Sequence, residues 1–261
     1  MFSFRSQPPA PPGMVAIPAG TNSGIDPDFG KYSLTVEAFF MDETEVTKAK
    51  WDEVYTWALT NGYSFANAGL GKAPNHPVYS LSWYDCAKWS NARSEKEDRI
   101  PCYYTVSNTV YKVGVCNPRC NYKTNGYRLP KVTEWMYAAR GGLIGKRFPW
   151  GDTIKHNNAN YRSMSVWTYD ISRTREHHPK FAKGGFPYTS PVASFSANGY
   201  GLYDMAGNVF EWCDELRSFS DTKRRICGGD WNFGYASQAR CDAGYWVNSG
   251  LNISGFRCVC R

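Results

Sequence analysis

Nine cysteines and four histidines are the side chains of this 261-residue chain best suited to covalent or metal chemistry. An odd number of cysteines cannot all pair within one molecule. Free thiols throughout, and one or two disulfides, both fit the spacing. Cys116, Cys120, Cys258 and Cys260 lack the paired spacing of a zinc site. His76 and His156 are isolated, and His177-His178 are adjacent. In a strand such neighbours point to opposite faces, so they read as surface histidines rather than ligands. No Ser-His-Asp or Cys-His pairing carries a recognisable local signature.

The chemistry with the clearest local pattern is non-covalent. The stretch GGDWNFGYASQARCDAGYWVNSGLNISGFR, Gly228 to Arg257, sets Trp231, Phe233, Tyr235, Tyr245 and Trp246 among Asn, Ser, Gly and Asp. It has neither the apolar period of a helix nor the alternation of a long strand. Tyr and Trp give large contact area at low side-chain entropy, and Asn, Ser and Gly give adaptable hydrogen bonds. That mixture is typical of a paratope. Trp231, directly after Gly-Gly, reads as core. Phe256 and Arg257 read as structural, with Arg257 pairing with a carboxylate.

Composition narrows the setting. Apolar residues at 42% support a sizeable core and argue against intrinsic disorder. Aromatics at 16% point to a loop-rich fold that fills irregular gaps with large rings. A net charge of +7 is spread along the chain, and its densest run, Lys223-Arg224-Arg225, is short, so no nucleic-acid partner is expected. No apolar run has the length of a membrane span. Residues 1–12 (MFSFRSQPPAPP) are proline-rich and read as a linker or trimmed N-terminus, leaving room for a membrane tether through an N-terminal anchor. Residues 13–261 read as one domain.

Several elements must position the loop. MVAIP from Met14 reads as a strand, and Leu34 to Met41 as a second. Thr47 caps a helix that Asn61-Gly62 ends, and Ser82 with Asp85 opens another. VTEWMYAARGG is a third, closed by Gly141-Gly142. Between Cys102 and Cys120, two β-prone pieces meet at Ser107-Asn108 as a hairpin. Residues 143–200 are rich in Gly, Pro, Asn and Ser and predict long ordered loop. Few early helices with short strands give an α+β class.

Three motifs resemble the formylglycine-generating enzyme, or sulfatase-modifying factor, superfamily. They are GYRLPKVTEWMYAARGG (Gly126–Gly142), SPVASFSANGYGLYDMAGNVFEW (Ser190–Trp212), and Gly228-Gly229 with its closing Gly-Phe-Arg. The resemblance spans Met14 to Arg261 and implies a C-type lectin-like fold: short sheets, two or three helices and much ordered loop. The enzymes of this family oxidise a substrate cysteine with copper and two active-site cysteines. The matching positions here hold Phe233 and Gln238, which can be neither thiolate nucleophile nor copper ligand. Cys241 lies three residues out of register. The resemblance therefore implies no copper and no catalytic residues. It also implies a calcium ion held by Asp204, the Gly207 and Val209 carbonyls and Glu211, a set of hard oxygens fit for that ion.

The quoted stretch is similar to the C-terminal repeat of variable proteins from bacterial diversity-generating retroelements: Gly-Gly-x-Trp, scattered interchangeable residues, then Gly-Phe-Arg. This likeness implies a variable region at 228–257. Its expected ligand-binding residues are Asp230, Asn232, Phe233, Gly234, Tyr235, Asp242, Gly244, Tyr245, Trp246, Asn248, Leu251 and Asn252. Asn232, Phe233, Tyr235, Tyr245, Trp246, Asn248 and Leu251 are expected exposed on one face. The implied function is non-catalytic binding of a protein or cell-surface ligand by a monomer at the bacterial cell surface or periplasm. The alternatives are a copper-dependent oxidase of the formylglycine-generating type and a calcium-stabilised accessory module.

Overall fold

The computed structural model describes residues 9–184, 186–217, 222–248 and 254–261. In chain order the elements begin β1 (Met14–Ile17), β2 (Gly20–Asp26), β3 (Gly30–Val36), β4 (Phe39–Asp42), α1 (Lys48–Thr60), α2 (Trp83–Lys96), β5 (Tyr103–Tyr104), β6 (Arg119–Cys120) and α3 (Val132–Arg140). They continue with β7 (Ala182–Lys183), β8 (Phe186–Pro187), β9 (Phe210–Leu216), β10 (Lys223–Cys227), β11 (Gly244–Asn248), β12 (Ser254–Gly255) and β13 (Val259–Cys260). This is the expected α+β architecture of short sheets, three helices among the described residues, and long ordered loops.

Helix starts follow their caps. The Lys50 N–H donates to Thr47 Oγ1 at the head of α1. Ser82 and Asp85 form a reciprocal capping box on α2. Gly141 closes α3 at φ 55°. The single strand expected over Leu34–Met41 is instead two, β3 and β4, which leave each other after Val36 to join different sheets. The expected hairpin is partial. Tyr104 bridges Val110 around a turn with Asn108 at φ 61°, while β5 takes β6 as its ladder partner.

Two sheets carry the site. The first, in order β1-β4-β13, joins both ends of the domain. The second, β11-β10-β9-β12, places β11 at an edge. Between α1, α2 and β9 lies the largest core cluster. In it Trp51 stacks on Trp89 with centroids 5.8 Å apart, and Phe256 packs edge-on against both. A second cluster gathers Phe39, Met41, Trp135, Cys213, Cys227 and Cys241. A third, small one includes Phe148, Tyr161, Ala206, Ala236 and Ala239, so two alanines of the quoted loop are sunk into the scaffold.

Candidate functional site

Directly after β10, Gly228 and Gly229 adopt φ values of 95° and 78°, which L side chains resist. A Cβ on Gly228 would stand 3.3 Å from the Trp135 ring. The glycine pair swings the chain out of the sheet and into the loop.

Asp230 then organises that loop. It is fully buried, and its Oδ1 accepts the N–H groups of Asn232 (2.6 Å), Phe233 (2.6 Å) and Gly234 (3.0 Å). Burial nevertheless pushes its carboxyl up to about 6, against the three amide bonds. Gly234 has no room for a side chain, because a Cβ would fall 2.1 Å from the Asp230 nitrogen. Its carbonyl accepts the Arg162 N–H at 3.0 Å. Further on, Asp242 pairs with the buried guanidinium of Arg140 at 2.5 Å. Gly244 leaves space for the Arg225 side chain, which a Cβ would meet at 2.5 Å. Asp230, Gly234, Asp242 and Gly244 thus hold the loop through contacts made inside the protein, with Asp242 and Gly244 half-buried.

The remaining residues divide by exposure. Phe233 is 57% exposed, and Tyr245 and Trp246 are each 37% exposed. Asn248 is exposed, and Asn232 and Tyr235 are half-buried. Tyr235 lies against the Trp167 ring at 5.6 Å and near the Arg162 guanidinium at 5.7 Å. Tyr245 and Trp246 do not share one face. As neighbours on β11 they point to opposite sides: Tyr245 meets the Phe210 ring edge at 6.2 Å, and Trp246 lies 5.4 Å from the Arg225 guanidinium. Leu251 and Asn252 lie outside the described residues. Trp231 is buried against the Tyr79 ring at 5.0 Å, as expected of a core residue.

The two positions that the resemblance matches to the oxidases' cysteines hold a solvent-exposed phenyl, Phe233, and Gln238, whose Oε1 accepts the Tyr235 N–H at 3.0 Å. Cys241 is fully buried beside Cys213 and Cys227, and burial pushes its thiol up. Among the described residues no three His, Cys, Asp or Glu side chains form a metal-binding group. The histidine reading needs correction. His178 is buried, packed 5.1 Å from His156 and 4.7 Å from Phe181, and burial with the His156 neighbour lowers it to about 4. His177 Nε2 lies 3.1 Å from the Asn232 carbonyl and so touches the loop itself.

Behind the loop, the GLYDMAGNVFEW turn has four residues at positive φ, Gly201 (84°), Asp204 (54°), Gly207 (80°) and Asn208 (61°). The Gly207 N–H donates to the Gly228 carbonyl at 2.7 Å, tying turn to loop. Glu211 is fully buried. Its Oε1 accepts Arg257 Nη2, and its Oε2 accepts Arg257 Nε and Trp135 Nε1, each at 2.8 Å. Asp204 Oδ2 accepts the Ala193 N–H, but its Oδ1 is buried without a partner. Burial pushes Asp204 up to about 6.

Glu45 completes this cluster and was not legible in the sequence. Its oxygens accept Asn208 Nδ2 at 2.8 Å and the Val209 N–H at 3.1 Å. Burial, then the charges of Asp204 and Glu211, raise it well above the carboxylate range. Three buried carboxylates therefore surround one guanidinium, and one carboxylate oxygen faces no donor. The three do not converge as a metal-binding group, and the feature a divalent cation could satisfy is the orphaned Asp204 oxygen.

The sulfatase-modifying factor enzyme 1-like domain matches residues 3–261. The chain is 32% identical to the formylglycine-generating enzyme of Mus musculus, over 77% of this chain and 58% of that protein. It is 34% identical to the inactive C-alpha-formylglycine-generating enzyme 2 of Bos taurus, over 94% of this chain and 87% of that one. Its relatives thus include both an enzyme and an inactive form. Among solved structures, CarF superposes with a TM-score of 0.74 at 27% identity, covering 95% of this chain and 97% of CarF. Treponema denticola variable protein 1 shares the fold with a TM-score of 0.71 at 24% identity, covering 95% and 94%. Gly228-Gly229, the DMAGN turn and the Glu211–Arg257 pair therefore sit in a known scaffold, and the chain belongs to the sulfatase-modifying factor enzyme 1-like family.

Proposed function

We propose that this protein is a non-catalytic binder that uses the loop after Gly228-Gly229 to recognise a protein or cell-surface ligand, as a monomer at the bacterial surface or periplasm. One observation carries the reading. Buried Asp230 fixes the backbone from Asn232 to Gly234 while the Phe233 side chain, between them, stands in solvent. A fixed backbone under exchangeable side chains allows contact chemistry to vary without refolding. Asn232, Tyr235, Tyr245, Trp246 and Asn248 extend the surface. Calcium, when bound, would be held by Asp204, the Gly207 and Val209 carbonyls, and Glu211 shared with Arg257. Its role is to neutralise the cluster and stiffen the turn that anchors Gly228.

Sequencing the locus across a cell population tests this. Substitutions should concentrate at the codons of Asn232, Phe233, Tyr235, Tyr245 and Asn248, and spare those of Asp230, Trp231 and Asp242. A reverse-transcriptase gene and a near-copy of the segment for Gly228–Arg257 should lie nearby. A uniform locus with neither feature, or copper-dependent oxygen uptake with a cysteine peptide, would overturn the proposal. The second outcome would establish the oxidase alternative.

A further inference from the structure

The densest basic run, Lys223-Arg224-Arg225, forms the first part of β10, where Arg224 and Arg225 point to opposite faces. Arg225 meets Gly244 and Trp246. Arg224 stands opposite Leu216 of β9 in the ladder. Both line a cavity of about 930 Å³ together with Asn117, Pro118, Tyr122 and Asp214. The Arg224 guanidinium lies over the Trp83 ring, 3.7 Å from its centroid, and Nη2 donates to Asn117 Oδ1 at 3.1 Å. Arg224 is 4% exposed, and its Nε is buried without a partner.

Five arginines are buried among the described residues: Arg93, Arg128, Arg140, Arg224 and Arg257. Four of them are paired with carboxylates: Arg93 with Asp42, Arg128 with Glu134, Arg140 with Asp26 and Asp242, and Arg257 with Glu211. Arg224 makes no ion pair among the described residues. Asp214 shares its cavity but stands outside ion-pair distance, and its Oδ2 accepts the Tyr122 hydroxyl at 2.8 Å. Burial lowers the Arg224 guanidinium from its ordinary value, whereas the carboxylates beside the other four outweigh burial and raise theirs. A cation taken out of water without a counter-charge is costly, and the Trp83 face offsets only part of that cost.

We infer that this cavity is a binding site for a carboxylate carried on an apolar body, which supplies the counter-charge that Arg224 lacks. The guanidinium keeps unused donors for the carboxylate oxygens, and such a contact is charge-assisted on both sides. Pro118, Tyr122 and Leu216 are half-buried and give the apolar body a wall to pack on. The volume is that of a small-molecule site. One guanidinium beside an acidic wall suits a monoanion; a phosphate dianion would meet Asp214 with more repulsion for the same single cation. None of the lining residues belongs to the loop after Gly228-Gly229, so this site stands apart from the proposed recognition surface.

Calorimetric titration of the native full chain with 3-phenylpropionate tests this, with 3-phenylpropionamide as its uncharged match. The acid should bind, and the amide should bind at least about tenfold more weakly, as expected for the loss of a charge-assisted contact. N-acetyl-Gly-Phe and its C-terminal amide form a second pair. Tighter binding of the peptide acid assigns the site to a chain terminus, and tighter binding of 3-phenylpropionate assigns it to a free organic acid. Arg224→Gln should abolish the preference for acid over amide. Leu216→Glu places a carboxylate opposite Arg224 in the ladder, so it should raise the melting temperature and remove acid binding, while the uncharged Leu216→Gln retains it. Circular dichroism confirms each fold, and the Leu216 pair decides the matter if Arg224→Gln does not fold. Equal binding of acid and amide, acid binding unchanged in Arg224→Gln or in Leu216→Glu, or no binding of either acid would overturn the inference.

Discussion

Trp231 and Phe233 are separated by one residue and meet opposite environments. Trp231 is 7% exposed and packs on Tyr79, whereas Phe233 is 57% exposed. Trp231→Ala should therefore cost about 3–5 kcal/mol, the range for deleting a core aromatic. Phe233→Ala should change stability by no more than about 0.5 kcal/mol. Denaturant unfolding of the two variants checks both, and a similar loss in each would deny the division between scaffold and surface. The composition of the loop revealed its aromatics but not this division. Asp230 and Asp242 look like surface residues in sequence because their partners are invisible there. One set is the loop's own amides, and the other is Arg140, far earlier in the chain.

At the scale of elements, the turn through Asp204 and the strand β9 define the cation proposal. Chelation should lower the melting temperature of the purified protein, and added calcium should restore it. Asp204→Ala should remove the difference between the two states, while Asp204→Asn, which keeps an oxygen and tolerates the left-handed backbone, should retain part of it. Identical melting curves with and without chelator in the parent protein would exclude a bound ion. Legibility at this scale followed local chemistry. Thr47 and Ser82 with Asp85 marked two helices because a cap is a short-range bond. β2, with the sequence GTNSGID, carries little β propensity and exists through its seven-residue ladder with β3. The break between β3 and β4 was hidden because the alternation of side chains runs on through it.

At the scale of the whole molecule, buried carboxylates set the pH response. Burial pushes Asp214 and Asp230 up to about 6 and Glu215 up to about 7. Groups raised above their unfolded values hold more protons in the native state. Their contribution is complete below the unfolded values, near pH 4, and is lost as pH rises through the folded ones. Unfolding free energy should thus fall between about pH 4 and pH 7 in chelator, and Asp214→Asn should flatten part of that fall. A flat or rising profile would contradict it. Asp28, Glu53 and Asp152, lowered by basic neighbours, act in the opposite sense only at more acidic pH.

The chain's last strand, β13, lies in the sheet with β4, and Arg257, just before it, supplies the guanidinium bonded to Glu211. The loop after Gly228-Gly229 is therefore translated before residues that hold the fold together. A stop codon or frameshift arising anywhere in the loop deletes both, leaving the buried carboxylates without their counter-charge and β4 with β1 as its remaining partner. Such a product should be destabilised and more open to proteolysis than the full chain. The fold thus acts as a reading-frame filter: a copy that folds with Arg257 and β13 in place has been read through the whole loop.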